Sequence, residues 1–172
     1  NITTAELRDP FMIKRIKWAA EGHDLDPSGV CIKILESVLV EEEGNEVIQN
    51  IAGLSRSGFQ IDLDDFGTGH ASIATIKQFN VDRIKIDRSF ISNIDTNSDQ
   101  QIIAGAMIDL SHSLGVSVLA EGIETEGEYA QAASMGCEFL QGYGIARPMS
   151  AVAATEWIKS YAAKEPVHAA IG

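Results

Sequence analysis

Chemistry is most concentrated in the run Ile61-Asp62-Leu63-Asp64-Asp65-Phe66-Gly67-Thr68-Gly69. Three carboxylates fall within four residues, and two glycines follow at once. Phe59, Ile61 and Leu63 alternate with Gln60, Asp62 and Asp64, the period of a strand. The segment is therefore a strand end that delivers adjacent carboxylates to a flexible turn. Clustered carboxylates repel one another, and the arrangement is costly without a cation or a shared proton. Oxygen-rich clusters suit hard divalent cations such as Mg²⁺, Mn²⁺ or Ca²⁺. An acidic turn capping the next helix would account for this run taken alone, so its chemistry depends on what else reaches it.

The flanking elements decide what can reach it. Asn1-Ile2-Thr3 has the look of a strand end. Asp9-Pro10 is an N-cap followed by Pro at the first helical position, leading a helix with Ile13, Ile16 and Ala20 on one face. A polar loop covers 22–29, and Val30 to Leu35 is a short strand. The pattern predicts a helix over 41–57 with Val47, Ile51 and Leu54 inward, ended by Gly58. After the acidic strand come a helix over about 70–77 and a strand over 81–87. A long helix over 99–114 carries Ile102, Ile103, Ala106, Met107 and Leu110, and a strand covers 116–120. A helix over 125–135, a strand over 137–140 and a helix over about 151–163 complete the chain, with a loose tail from 166. Helix, glycine and short apolar strand recur at Gly58, Gly115 and Gly136, which argues for βαβ units and a parallel sheet. Glu36, Asp64, Asp65, Lys85, Glu121 and Gln141 all fall at the C-terminal ends of strands. A doubly wound sheet would gather such groups at one switch point. Contributions from nearly every strand instead favour the catalytic face of a (β/α)₈ barrel.

Composition narrows the partners. A net charge of −12 repels nucleic-acid phosphates and anionic lipid, so neither nucleic acid nor a membrane is an expected partner. Cys31 and Cys137 sit in apolar runs and read as small buried hydrophobes of a reducing compartment, so the expected location is cytoplasmic.

The motif runs, taken in order, resemble the EAL family, the cyclic di-GMP phosphodiesterases of bacteria. They are Asn1-Ile2-Thr3, Arg8-Asp9-Pro10, Glu36-Ser37, Asp64-Asp65-Phe66-Gly67-Thr68-Gly69, Lys85-Ile86-Asp87-Arg88-Ser89-Phe90, Ala120-Glu121-Gly122-Ile123-Glu124 and Gln141-Gly142-Tyr143, with Arg147-Pro148 beyond them. Any one run alone is a weak signal; their kind, order and spacing together are specific. The resemblance implies two-metal hydrolysis of cyclic di-GMP to the linear dinucleotide, with Mg²⁺ or Mn²⁺. It implies that Asn1 and Asp64 hold one metal, and Asp64 and Asp65 the other. Lys85 orients the water and stabilises charge, Glu121 is a further acidic ligand or a water-positioning group, and Gln141 assists near the metals. Glu36 and Glu124 hold the loop from Asp65 to His70. Phe66, Gly67, Arg147 and Pro148 lie toward the nucleotide, Arg147-Pro148 near a guanine. A homodimer through the helix after that loop is implied as well.

Two departures set further expectations. The Glu-Ala-Leu tripeptide that names the family belongs on a strand before Asn1. The barrel is thus expected to be incomplete, with about six of eight βα units, over residues 1–165. Where the family pattern is Glu-x-Thr-Glu, this chain reads Lys33-Ile34-Leu35-Glu36. An ammonium at a cation site opposes metal binding. Hydrolysis is therefore expected to be lost or strongly impaired, leaving a non-catalytic receptor or a structural remnant as the rival readings. Lys33 is expected to ion-pair with Asp64 or Asp62 in the metal's place. The open sheet is expected to expose Ile34 and Ile84 and to drive self-association.

Overall fold

Five short strands and the helices between them build one parallel sheet in sequence order, β1-β2-β3-β4-β5. The computed structural model describes residues 1–41, 45–69 and 73–164. The strands are β1 (Cys31–Leu35), β2 (Gln60–Phe66), β3 (Arg83–Ile86), β4 (Ser117–Glu121) and β5 (Phe139–Gln141). The helices are α1 (Thr4–Leu7), α2 (Met12–Gly22), α3 (Glu36–Glu41), α4 (Asn45–Arg56), α5 (Ile73–Phe79), α6 (Arg88–Ile91), α7 (Ser98–Ser113), α8 (Glu126–Ser134) and α9 (Ala151–Lys164). Ile2 makes a lone parallel bridge to Ile34, which marks a sixth strand position beside β1. The sheet is not closed, in keeping with an incomplete barrel.

Each strand alternates between two faces, and the helices claim one of them. Ile32, Ile34, Ile61, Leu63, Ile84, Ile86, Val118 and Ala120 pack against the helix layer, which supplies Leu7, Val47, Ile51, Leu54, Ile76, Phe79, Ala104 and Ile108. Fully burying each large aliphatic chain contributes about 1.5–3 kcal/mol. Ile34 and Ile84, expected to be exposed by an open barrel, are 1% and 0% exposed. The expectation fails on strand parity: these residues face the helices, and the opposite, barrel-interior face carries the charged groups. In the strand pairing Lys33 lies opposite Asp62, and Asp62 opposite Arg83.

Several local expectations need adjusting. Asp9 does not cap α2; its carboxylate accepts the Phe11 N–H at 2.8 Å and pairs with Arg15 at 2.6 Å. The first helix instead starts at Thr3, whose hydroxyl and Glu6 form a reciprocal capping box. The short helices α3 and α6 leave no signal in the sequence, because six and four residues are too few for a periodic stripe. On α7 the inward residues are Ala104, Ile108 and Ser111, while Ile102 and Ile103 are exposed. Gly58, Gly115 and Gly136 take φ of 89°, 74° and 99°, the left-handed geometry that ends a helix. The expected helix start at 70–72 and the tail from 166 lie outside the described residues. No described helix is long and apolar enough to cross a membrane.

Candidate active site

A bulge builds the acidic centre. Along a regular strand, Asp64 and Asp65 would point to opposite faces. The register between β2 and β3 shifts between Leu63 and Phe66, and Asp65 takes φ 56°. Such a bulge re-aims side chains, and Asp tolerates the left-handed region better than most residues. As a result Asp64, Asp65 and Glu121 each bring a carboxylate oxygen within 4.8 Å of the others. Glu121 comes from the end of β4, with Gln141 opposite it on β5.

Two lysines enter the same cluster. Lys85, from β3, is 1% exposed and pairs with both Asp64 Oδ1 and Glu121 Oε1. Burial works against its charge, but the two carboxylates outweigh burial and hold its ammonium well above the usual lysine range. Lys33 stands beside the Lys85 ammonium. That neighbour, and then burial, lower the Lys33 pKa against the pull of Asp64 and Glu121. Burial, Asp64 and Asp87 raise the Asp65 carboxyl against the pull of Lys85 and Lys33.

The expected ion pair of Lys33 does not form, because both acids are already engaged. Asp64 is taken by Lys85, and Asp62 accepts from Arg83 in a forked pair with contacts of 2.8 and 3.1 Å. The Arg83 guanidinium also lies 4.7 Å over the Phe139 ring and contacts Cys31 Sγ. Sequence reasoning missed Arg83, although its position two residues before Lys85 puts it on the same face.

The remaining candidates distribute as follows. Asn1 lines a cavity of about 360 Å³ together with Thr3, Thr4, Lys33, Ser37 and Asp64. Glu36 is buried, and its Oε2 accepts the N–H groups of Gly67 and Gly69, both at 2.9 Å. Glu124 pairs with Arg88 at 2.9 Å, while His70, at the far end of the loop assigned to it, lies outside the described residues. Phe66 is buried on the helix side, lining an apolar groove with Phe90 and Met107, so it does not face the acidic cluster. Arg147 stacks over the Tyr143 ring at 4.7 Å, and Pro148 is exposed beside it. A further missed group is Glu128, buried, which accepts the N–H groups of Asn93, Glu124 and Thr125. It braces the segment after β4, and Thr125-x-x-Glu128 is its capping-box signal.

Residues 1–148 match the model of the EAL domain. The chain belongs to the EAL family. It is 31% identical over 161 residues to the cyclic di-GMP phosphodiesterase PdeR of Escherichia coli, covering 94% of this chain and 24% of that protein. Among solved structures, the PaMucR phosphodiesterase in complex with c-di-GMP superposes with a TM-score of 0.82 at 30% identity, over 90% of this chain and 62% of that one. A manganese and cy-diGMP complex of Klebsiella pneumoniae BlrP1 gives 0.76 at 25% identity, over 83% and 36%. The chain spans roughly a fifth of the length of the first curated relatives it matches. The oxygen donors of Asp64, Asp65 and Glu121 fit a hard divalent cation in chemistry and spacing.

Proposed function

We propose that residues 1–165 are an EAL-type cyclic di-GMP signalling domain whose phosphodiesterase step is strongly impaired. The observation that carries this reading is the position of Lys33, beside Lys85 and lining the cavity shared with Asn1 and Asp64. A divalent cation bound at such a cluster supplies charge against a phosphoryl oxygen and makes a water more acidic. Asp64, Asp65 and Glu121 would hold it. Lys85 offers a fixed positive charge to the phosphodiester, Asn1 lines the cavity beside Asp64, and Gln141 stands opposite Glu121 on β5. Glu36 holds the Gly67–Gly69 backbone in place behind the bulge. Arg147, stacked on Tyr143, presents a cationic plane toward a guanine. Hydrolysis by two metals needs both ions, and Lys33 sets a positive charge where the family pattern supplies a carboxylate.

A second reading, a non-catalytic receptor, draws on the same lysine, since an added ammonium favours a bound phosphodiester without favouring its cleavage. The domain works in the cytoplasm and pairs with a second copy; its acidic surface, with a net charge of −12, disfavours nucleic acid and anionic membranes as partners. The test is to incubate the protein with cyclic di-GMP and Mn²⁺ or Mg²⁺ and to resolve the products by chromatography, with calorimetry in parallel. Weak binding and only background formation of linear dinucleotide are expected. Turnover at ordinary enzymatic rates would overturn the reading, and tight metal-independent binding would select the receptor.

A further inference from the structure

We infer that the solvent face of α2 is a docking ridge for an acidic helical segment of another protein. Helical spacing gives α2 two faces. The inward one is Met12, Ile13, Ile16 and Ala20: Met12 and Ala20 are buried, and Ile13 and Ile16 pack against the core. The neighbouring helix α4 closes on the Ile13 side, where Gly53 makes room for the Ile13 side chain. Phe11, Lys14 and Trp18, three and four residues apart, line up on the opposite side, with Arg15 and Lys17 flanking them. Phe11 is 65% exposed and Trp18 76% exposed. The inward residues already supply the packing that holds α2, so these two aromatics contribute nothing to the fold that a polar residue would not.

Charge complementarity names the occupant. The chain carries a net charge of −12, yet residues 11–18 hold three cations and no acid. Arg15 pairs with Asp9 at 2.6 Å, whereas among the described residues no ion pair engages Lys14 or Lys17. Such cations answer Glu or Asp on a facing helix, with an apolar residue of that helix packed on Trp18, the kind of side chain that anchors interfaces most often. The ridge is also narrow, with Phe11 to Trp18 spanning about 10 Å of helix axis. Glu6 and Asp9 precede it, and Glu21, Asp24 and Asp26 follow it. A flat anionic surface such as a membrane meets these five acids together with the cations, because charges act over about 8 Å at physiological salt. A helix crossing the ridge at the roughly 50° common for packed helices meets the cations and passes clear of both acidic flanks. A slim acidic partner is therefore favoured over a bilayer. The inference stands on α2 alone and is independent of the chemistry at the strand ends.

The chain has two tryptophans, Trp18 and Trp157, so the full chain carrying Trp157→Phe reports the ridge through Trp18 emission. The probe is a synthetic Ala-based peptide of about 20 residues, long enough to be helical alone, with Glu along one face and a central Leu. A version with Lys in place of Glu is the control. The acidic peptide is expected to bind and to shift Trp18 emission to the blue. Lys14→Glu combined with Lys17→Glu should weaken binding roughly tenfold or more, and Trp18→Ala, followed with a labelled peptide, by a similar factor. Lys159→Glu, at an exposed cation on α9, should leave the affinity unchanged. Lys14, Lys17 and Trp18 are exposed, so circular dichroism should show the same unfolding midpoint for every variant. Absence of binding would overturn the inference, as would equal binding of the Lys peptide or an affinity that these substitutions do not move. Stronger binding to vesicles of phosphatidylglycerol and phosphatidylcholine than to the peptide would overturn it in favour of a lipid surface. A dimer in light scattering that Trp18→Glu dissolves would overturn it in favour of a second copy of this chain.

Discussion

Replacing Lys85 by Met tests whether this lysine is the internal counter-ion of the acidic centre. Met conserves most of the buried stem and removes the charge. Lys85 is 1% exposed, and its partners Asp64 and Glu121 are 14% and 16% exposed. Breaking a buried pair by deleting one partner costs roughly 3–5 kcal/mol. The acids keep some contact with water, so the lower end applies, about 3 kcal/mol. For a domain of this size that is a fall of roughly 6–12 °C in the unfolding midpoint. The loss should be recovered in large part by adding Asp64→Asn and Glu121→Gln, which remove the stranded charges. The pH dependence has a definite sign. The folded pKa of Lys85 lies above its ordinary value of 10.5. Its stabilisation is thus fully present below pH 10.5 and is lost only as pH rises through the folded value. Wild type and Lys85→Met should therefore differ by a constant amount from neutral pH to the edge of that range. Metal-free thermal unfolding followed by circular dichroism reads all of this. A midpoint shift of under about 2 °C for Lys85→Met would refute the reasoning, since it would leave less than roughly 1 kcal/mol for two buried ion pairs.

Further outcomes follow from single contacts. Glu36→Gln exchanges two charge-assisted hydrogen bonds for weaker neutral ones, a loss of about 1–3 kcal/mol confined to the Gly67–Gly69 turn. Hydrogen exchange at those two amides should speed up at least tenfold, and unchanged protection would count against the bracing role. In Gly142→Ala the new Cβ would lie 2.1 Å from the Ile123 carbonyl oxygen and 2.3 Å from its nitrogen. Both atoms are backbone and cannot rotate away, so urea unfolding should show a loss of at least ~2 kcal/mol. Burial pushes the Cys31 thiol up to about 11 and the Cys137 thiol up to about 12. Iodoacetamide at pH 8 should label both at least roughly tenfold more slowly in the folded protein than in urea, and equal rates would contradict that burial.

Much of the fold was legible in the sequence because it is set by short-range rules. Val47, Ile51 and Leu54 repeat at helical spacing, and all three are fully buried. Gly58, Gly115 and Gly136 end helices because the left-handed conformation costs glycine least. The positions of Asp64, Lys85, Glu121 and Gln141 at strand ends likewise follow from local alternation, and with the motif runs they gave the family. What reaches across strands was not legible. Asp64 and Asp65 turn to one side only because the β2–β3 register shifts there and Asp65 adopts φ 56°. Lys85 finds Glu121, 36 residues away, only once β3 and β4 are paired. Arg83 captures Asp62 through the same pairing, which left Lys33 without the acid expected for it. The parity of Ile34 and Ile84 was readable, but which face the helices would cover was not. Side-chain period is a property of one strand; register, bulge and counter-ion are properties of neighbouring strands, and only the assembled sheet fixes them.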